Sequence, residues 1–293
     1  MNSRLTVAIA LLALYFIWGS TFLGMKFAIE SFPPFMMAGL RFSFAGLILY
    51  AFLRWRGVSN PSPEQWKSAA IVGFLLLAFG NAGVAYAEQW IATGNAAMMI
   101  ATVPLWIVVF DWHRGNRPHR LELWGIALGV AGVLILNRGA NLQSSPLGAL
   151  CLLSAALAWS YGSVWSRRLD MPQGAMSSAT QMLVAGAVLM VVSVLAGERV
   201  THPPTPRAVY AMIYLVVFGS FIAYSAYLFL LDNVRPALAT SYAFVNPLVA
   251  MGLGVWLAGE QIGQTEVLAM SVILAGVLLV MMPKATISDS ARR

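Results

Sequence analysis

The feature of this sequence that most limits its fold is a series of long apolar runs that charged residues seldom interrupt. Of the 293 residues, 59% are hydrophobic and 10% are charged, whereas a soluble globular protein carries about 25% charged residues. With so few charges the chain cannot surround a core with a water-facing shell. A soluble monomer and a disordered chain are both excluded, and the sequence predicts an integral membrane protein.

Charged and proline-rich breaks divide the chain into ten apolar runs, each close to the roughly 20 residues that a membrane-spanning helix needs. In hydrocarbon only helices and closed barrels satisfy every backbone polar group, and these runs show no strand-like alternation. We therefore predict an all-α membrane protein with ten transmembrane helices. The predicted helices cover residues 5–29, 34–53, 66–87, 94–112, 121–138, 146–167, 173–196, 207–231, 236–258 and 265–283.

The distribution of Lys and Arg predicts the orientation of these helices. With a cytoplasmic N-terminus, 13 of these residues fall in cytoplasmic segments and 4 in outer segments. This bias follows the positive-inside rule and places both termini of a multi-pass protein in the cytoplasm. It also accounts for the net charge of +7 without a nucleic acid partner. The first run is long enough to span, so we interpret it as an uncleaved helix.

A weak internal repeat divides the chain into two halves. Gly19-Ser20 in the first run and Pro104-Leu105 in the fourth recur 143 residues later, in the sixth and ninth runs. The repeat predicts two units of five helices, residues 1–140 and 141–293. Because five is odd, the second unit must insert upside down, as a 5+5 inverted-topology repeat around a central cavity. This arrangement is typical of alternating-access transporters.

Polar and aromatic side chains are concentrated in predicted helices 1–4 and 6–9. Polar groups at membrane depth face a cavity or another helix, so these eight helices are predicted to surround a central pathway that helices 5 and 10 support from outside. Gly125, Gly129 and Gly132 suit helix 5 to close packing against a neighbour. The candidate pathway residues are Trp18, Ser20, Thr21, Asn81, Tyr86, Thr102, Trp106, Tyr161, Ser163, Trp165, Tyr224, Tyr242 and Asn246.

Two pairs of residues occupy matching positions in the two halves. Trp18 and Tyr161 lie mid-helix, away from the helix ends where most membrane Trp and Tyr are found, and their rings suit a flat, aromatic or cationic solute. Pro104 and Pro247 are predicted to bend their helices in the middle. Each proline is either a pivot whose freed carbonyls serve a ligand or a tolerated kink without a ligand role.

Two charged residues have open interpretations. Arg41, inside the second helix, is either a counter-ion for a substrate carboxylate, a structural partner of Glu30 or Glu88, or a side chain that extends to the interface. Glu88 either binds a proton or a substrate amine, or is an interfacial carboxylate at a helix end.

The sequence contains no catalytic constellation. Asp111, His113 and His119 lack zinc-site spacing, and there is no Gly-rich phosphate loop or nucleophile elbow. We predict no enzymatic activity, no cofactor and no metal, and transport driven by a gradient or by exchange.

Several short motifs give the chain a family resemblance. In chain order they are Trp18-Gly19-Ser20-Thr21, Arg41-Phe42, Pro104, Pro247 and Gly259-Glu260. Together they resemble the drug/metabolite transporter (DMT) superfamily, EamA type, over essentially the whole chain. The segment from Ala237 to Ala243, followed by Val245-Asn246-Pro247, is similar to bacterial inner-membrane exporters of the YddG/YedA kind.

This resemblance implies a secondary transporter that exports small metabolites, above all aromatic or other amino acids, across the bacterial inner membrane. Export of hydrophobic cations or drugs, and a passive channel on the same fold, are the alternatives. The implied partners are a small-molecule substrate and the lipid bilayer, and whether the chain forms a homodimer is left open. Glu260 lies at a helix boundary and is interpreted as structural.

Overall fold

The computed structural model describes residues 3–115, 117–136, 138, 145–234, 239 and 241–281. These residues form helices and connecting turns and contain no strand, which confirms the predicted all-α class. The helices are α1 (Leu5–Ala28), α2 (Pro34–Trp55), α3 (Pro63–Ala87), α4 (Thr93–His113), α5 (Arg120–Leu136), α6 (Pro146–Ser166), α7 (Ala175–Leu195), α8 (Pro206–Leu231), α9 (Tyr242–Ala258) and α10 (Gln264–Met281).

Seven of the helices in the described part of the chain, α1–α4 and α6–α8, are long and apolar enough to cross a membrane. Two shorter apolar helices, Val245–Ala258 and Gln264–Val280, lie within α9 and α10. The predicted start of the ninth helix at 236, the end of the tenth at 283 and the boundary at 140/141 lie outside the described residues.

Proline begins α2, α3, α6 and α8, at a position where its missing N–H costs no helical hydrogen bond. In front of α3, the Ser62 hydroxyl accepts a hydrogen bond from the backbone N–H of Gln65, and the Gln65 side chain accepts one from that of Ser62. This capping box extends the third helix to Pro63, three residues before the predicted start.

Helices α2 and α7 pack closely in opposite directions. A Cβ atom added to Gly46 would lie 2.7 Å from the backbone nitrogen of Leu183, and one added to Gly186 would lie 2.6 Å from that of Ser43. As residue numbers fall along α2 they rise along α7, so the two helices are antiparallel. Their backbones approach this closely because glycine has no side chain at the contact.

Helices α5 and α10 form a second close antiparallel pair. A Cβ atom on Gly125 would lie 2.6 Å from the carbonyl oxygen of Gly276, and one on Gly132 would lie 3.0 Å from the backbone nitrogen of Ile273. The close packing predicted for the glycines of the fifth helix is therefore confirmed.

Four helices depart from regular α geometry. Segments of π-helix occur in α1 (Ala13–Trp18), α3 (Phe74–Asn81) and α8 (Leu215–Tyr224). Helix α4 is interrupted between Ile100 and Val103. Pro104 therefore lies in the first turn of the second part of α4, directly after this interruption in the middle of the helix, and its role as a kink or pivot stays a prediction. Pro247 does lie inside α9.

Candidate substrate cavity

A cavity of about 50 Å³ lies between α1, α3, α4, α6 and α9. These are five of the eight helices predicted to surround a pathway, and none of the lining side chains is charged. The lining residues are Trp18, Thr21, Phe22, Met25, Gly80, Asn81, Val84, Ile100, Ala155, Trp159, Tyr242 and Asn246.

An aromatic cluster forms one wall of this cavity. The Trp18 ring lies edge-on to Trp159 and Tyr242, with centroids 5.7 and 5.1 Å apart, and contacts Tyr227 at 5.1 Å. The Trp18 indole N–H donates to the carbonyl oxygen of Gly219, at 3.3 Å. The Trp159 indole Nε1 is buried and faces the Tyr227 and Tyr242 hydroxyls, although it forms no hydrogen bond of good geometry among the described residues.

The π-helical segments end at residues that the sequence singles out. The segment in α1 ends at Trp18, that in α3 at Asn81 and that in α8 at Tyr224. A π-helical turn disturbs the regular hydrogen-bond ladder and is frequent at functional sites. Trp18 and Asn81 line the cavity, whereas Tyr224 lies behind it and donates to the Gln181 Oε1 atom at 2.5 Å.

Arg41 stands behind Asn81 and forms no ion pair in the described part of the chain. Its guanidinium donates from Nη1 to Asn81 Oδ1 at 3.3 Å and from Nε to Ser220 Oγ at 2.9 Å. The side chain is buried, with 2% of the residue exposed. The predicted pairing with Glu30 or Glu88 and the extension to the interface are therefore wrong, since Glu30 pairs with Arg207 at 2.6 Å.

The structure brings together five of the predicted pathway residues, namely Trp18, Thr21, Asn81, Tyr242 and Asn246. The Thr21 hydroxyl donates to the Trp18 carbonyl oxygen at 2.7 Å, which holds its methyl and hydroxyl groups against α1. With its nitrogen facing the carbonyl oxygens of Leu14, Tyr15 and Tyr242, the Asn246 amide donates to them at 3.1–3.2 Å.

The other predicted residues do not line this cavity. Ser20 bonds the Tyr214 hydroxyl at 2.6 Å, Ser163 lies behind the wall against the Tyr227 hydroxyl at 3.1 Å, and Tyr86 stacks on Phe35. Thr102 and Trp106 line a second cavity of about 180 Å³ between α4, α5 and α6, surrounded otherwise by apolar residues and Gly129.

Tyr161 also lies outside the cavity, since 37% of it is exposed and it contacts Phe110 and Trp165. Trp159 takes its place in the wall. Residues two apart on a helix point about 200° apart, so α6 can turn only one of these two rings inward. The sequence offered one indication that Trp159 lines the cavity: it is an aromatic residue two positions before Tyr161, which matches Trp18 in the repeat.

A second group of charged and polar side chains lies one turn beyond the cavity, at the end of α3. The Glu88 backbone N–H donates to Val84, which lines the cavity, and the Glu88 carbonyl oxygen accepts from Lys26 Nζ at 2.8 Å. The Glu88 carboxylate is 0% exposed, and neither oxygen has a hydrogen-bond partner in the described residues.

Glu260 lies nearby and caps the N-terminus of α4. Its carboxylate accepts from the Thr93 backbone N–H at 2.8 Å and from the Thr93 hydroxyl at 2.7 Å. Gly259 ends α9 with a φ of 67°, a left-handed conformation that glycine adopts without strain, and so turns Glu260 toward α4. The structural interpretation of Glu260 agrees with this geometry.

A bundle of long apolar helices around an uncharged cavity is the architecture of a polytopic membrane protein, and the relatives of the chain place it in the transporter class. The profile of the EamA-like transporter family matches the chain over residues 5–138 and 146–282, and the chain belongs to this family. It is 48% identical to an Escherichia coli K12 protein named as an uncharacterised inner membrane transporter, YedA, over 94% of this chain and 90% of that protein.

More distant relatives agree with this assignment. The chain is 23% identical to the Bacillus subtilis transporter YoaV, over 93% of this chain and 96% of that one. A crystal structure at 21% identity superposes with a TM-score of 0.67 over 94% of this chain and 96% of the other, which supports the fold. The protein is thus a membrane transporter and not an enzyme, and it acts on a small-molecule substrate.

Proposed function

We propose that this transporter exports aromatic or other amino acids across the bacterial inner membrane by alternating access. The observation that carries the proposal is the cavity wall, where the rings of Trp18, Trp159 and Tyr242 lie together. Aromatic rings attract a flat or aromatic side chain when the centroids of the two groups lie about 5–6 Å apart. An indole N–H can also donate a hydrogen bond to a carboxylate oxygen.

The composition of the cavity lining supports a solute of this kind. Small-molecule pockets are mostly apolar, with a few placed polar groups that fix orientation. Here Thr21, Asn81 and Asn246 are the polar side chains between apolar neighbours.

The charges around the cavity favour a carboxylate over a cation. The lining contains no Asp or Glu, and the buried Arg41 guanidinium lies one hydrogen bond behind Asn81. Asn81 Oδ1 accepts from Arg41, which leaves the amide nitrogen to donate toward the cavity. A positive charge here attracts the carboxylate of an amino acid and opposes a hydrophobic cation.

For the membrane topology, we propose ten spans in two inverted units of five, residues 1–140 and 141–293, with both termini cytoplasmic. Helices α2 and α7, and likewise α5 and α10, are equivalent members of the two units, and each pair is antiparallel, as inversion requires. With ten spans the first and seventh loops share one side of the membrane, and Glu30 contacts Arg207 there. The second and sixth loops share the other side, where Gln65 contacts Asp170 at 3.3 Å.

The experiment that tests the function is saturable uptake of labelled phenylalanine, tryptophan and threonine into proteoliposomes, with counterflow. Trp159→Ala removes a ring from the cavity, whereas Tyr161→Ala removes a ring on the same helix that faces away. Because an aromatic pair contributes about 0.5–1.5 kcal/mol, we expect Trp159→Ala to raise KM by about 2- to 13-fold and Tyr161→Ala to leave KM nearly unchanged.

Trp159→Phe separates the two roles of this side chain, since it keeps a ring and removes the donor. Saturable flux and counterflow support the transporter, and flux without saturation supports a passive channel. Uptake equal to that of empty liposomes for all three amino acids would refute the amino-acid proposal, and equal effects of Trp159→Ala and Tyr161→Ala would refute the assigned cavity.

A further inference from the structure

The Glu88 carboxyl group is the most unusual polar group in the described residues. It is fully buried, and neither oxygen accepts a hydrogen bond. A buried carboxylate ion without partners loses its hydration and gains nothing in return, and in proteins such a group takes up a proton instead. The geometry therefore favours the neutral acid.

Charged and titratable groups reach this region from each neighbouring helix. Helix α1 contributes Lys26, whose ammonium group donates to the Glu88 carbonyl oxygen, and α2 contributes Arg41, which is bound to Asn81 nearly two turns earlier. Helix α6 contributes Cys151, whose backbone oxygen lies opposite Gly83. The turn after α9 contributes Glu260, which is occupied by Thr93.

Among these groups, Lys26 is the cation placed to become a counter-ion. It forms no ion pair within 4 Å of the Glu88 carboxylate in the described structure, although it holds the carbonyl oxygen of the same residue at 2.8 Å. A change of side-chain rotamer, or a shift of α1 against α3, is enough to bring the ammonium group to the carboxylate.

The position of this pair connects it to the cavity. Met25 and Val84 line the cavity, and Lys26 and Glu88 follow them directly and one turn later on the same two helices. Any rearrangement that opens or closes the cavity between α1 and α3 must therefore change the surroundings of Glu88.

We infer that Glu88 is the proton-binding site that couples transport to the proton gradient, an inference that rests on the proposed transporter function. In the conformation described here the carboxyl group carries the proton. When α1 and α3 move apart, water reaches Glu88, the proton leaves to that water, and the carboxylate pairs with the ammonium group of Lys26. The carboxylate takes up its next proton from the opposite side of the membrane before the site is buried again, so each conformational cycle moves one proton across the membrane.

Burial raises the pKa of Glu88 well above its ordinary value, Lys26 opposes this rise and Glu260 adds to it. The direction of the pKa shift agrees with the neutral acid that the unpaired oxygens require. A raised pKa favours the protonated form of Glu88 for as long as the site stays buried.

The first test is infrared difference spectroscopy of the full-length protein against Glu88→Gln in liposomes at neutral pH. We expect the carbonyl band of a protonated carboxyl group in the wild type and its loss in Glu88→Gln, with Glu30→Gln as the control that keeps the band. Identical spectra of the wild type and Glu88→Gln would overturn the inference, and this outcome needs no substrate.

The second test measures phenylalanine accumulation driven by an imposed pH gradient. Because an uncoupled carrier only equilibrates its solute, we expect Glu88→Gln to reduce gradient-driven accumulation at least about tenfold, Glu88→Asp to restore part of it, and Glu30→Gln to change it less than about twofold. Gradient-driven accumulation that persists in Glu88→Gln, or is absent from a wild type that shows counterflow, overturns proton coupling. Absence of any saturable flux refutes the proposed function, while the infrared result still decides the protonation of Glu88.

Discussion

Replacement of Arg41 by methionine tests whether the charge behind Asn81 selects carboxylate substrates. Arg41 Nη1 lies 3.3 Å from Asn81 Oδ1, and the width of an amide plus one further hydrogen bond places a substrate carboxylate about 7 Å from the guanidinium. At an effective dielectric constant of about 20, two unit charges at this distance interact by about 2.4 kcal/mol. We therefore expect Arg41→Met to weaken phenylalanine binding by up to about fiftyfold.

The assay compares the KM of phenylalanine with that of phenylalaninamide, which has the same ring and no carboxylate. Arg41→Met should raise the KM of the amino acid and leave that of the cationic amide unchanged or lower. Arg207→Gln removes a charge that pairs with Glu30 in a solvent-exposed pair, and it serves as the matched control, since exposed ion pairs contribute only about 0–1 kcal/mol.

Arg41→Met also leaves Ser220 and Asn81 without a donor, and hydrogen bonds to charged groups are worth about 1.5–3 kcal/mol each. Thermal unfolding in detergent is therefore measured together with the transport kinetics. Arg41→Lys is a further control, because it keeps the positive charge and loses the planar guanidinium group. If Arg41→Met raises the KM values of both compounds equally, or of neither, in folded protein, the charge does not select the substrate.

Three further predictions concern stability, each read from unfolding of purified protein in detergent. Gly186→Ala places a Cβ atom 2.6 Å from the Ser43 backbone nitrogen and should lower the stability of the protein by about 1–3 kcal/mol. Gly252→Ala is the control, because the space around Gly252 is open, and it should be neutral or stabilising. Equal effects of the two substitutions would contradict the α2–α7 contact. Glu260→Ala removes the acceptor for Thr93 at the start of α4 and should cost about 1–2 kcal/mol, against less than about 1 kcal/mol for Glu30→Ala. Because the pKa of Glu88 is raised by burial, the unfolded chain loses this proton at a lower pH than the folded protein. Stability should therefore fall as pH rises above the ordinary carboxyl range of about 4–5, by at most about 1.4 kcal/mol per pH unit. A pH dependence that Glu88→Gln leaves unchanged would contradict this assignment.

Most of the fold could be predicted from the sequence because apolar length and composition determine helices in hydrocarbon directly. Prolines mark the breaks between runs, although Pro63 proved to begin a helix because Ser62 and Gln65 cap it. The glycines of α5 indicated a close helix contact because small residues have few other uses on one face of an apolar helix.

The side of each helix that faces the cavity was harder to predict. Trp18 and Tyr161 match in the repeat, yet α6 turns Trp159 inward and Tyr161 outward. The position of a side chain around a helix depends on the turns before it, and α1 contains a π-helical segment directly before Trp18 while α6 contains none in its described length. Residues at equivalent positions of the two halves therefore need not both point toward the cavity.

The same π-helical segments explain why the sequence could not reveal the contact of Arg41. Asn81 and Ser220 lie within or at the end of such segments in α3 and α8, and both accept hydrogen bonds from the Arg41 guanidinium. A π-helical turn contains about one residue more than an α-helical turn, so the residues after it are rotated about the helix axis. A helical wheel drawn for a regular α-helix therefore does not turn these two acceptors toward Arg41. The buried cation thus finds neutral oxygens instead of the carboxylates of Glu30 or Glu88. Its positive charge remains uncompensated among the described residues beside the cavity, where a substrate carboxylate can supply the missing negative charge.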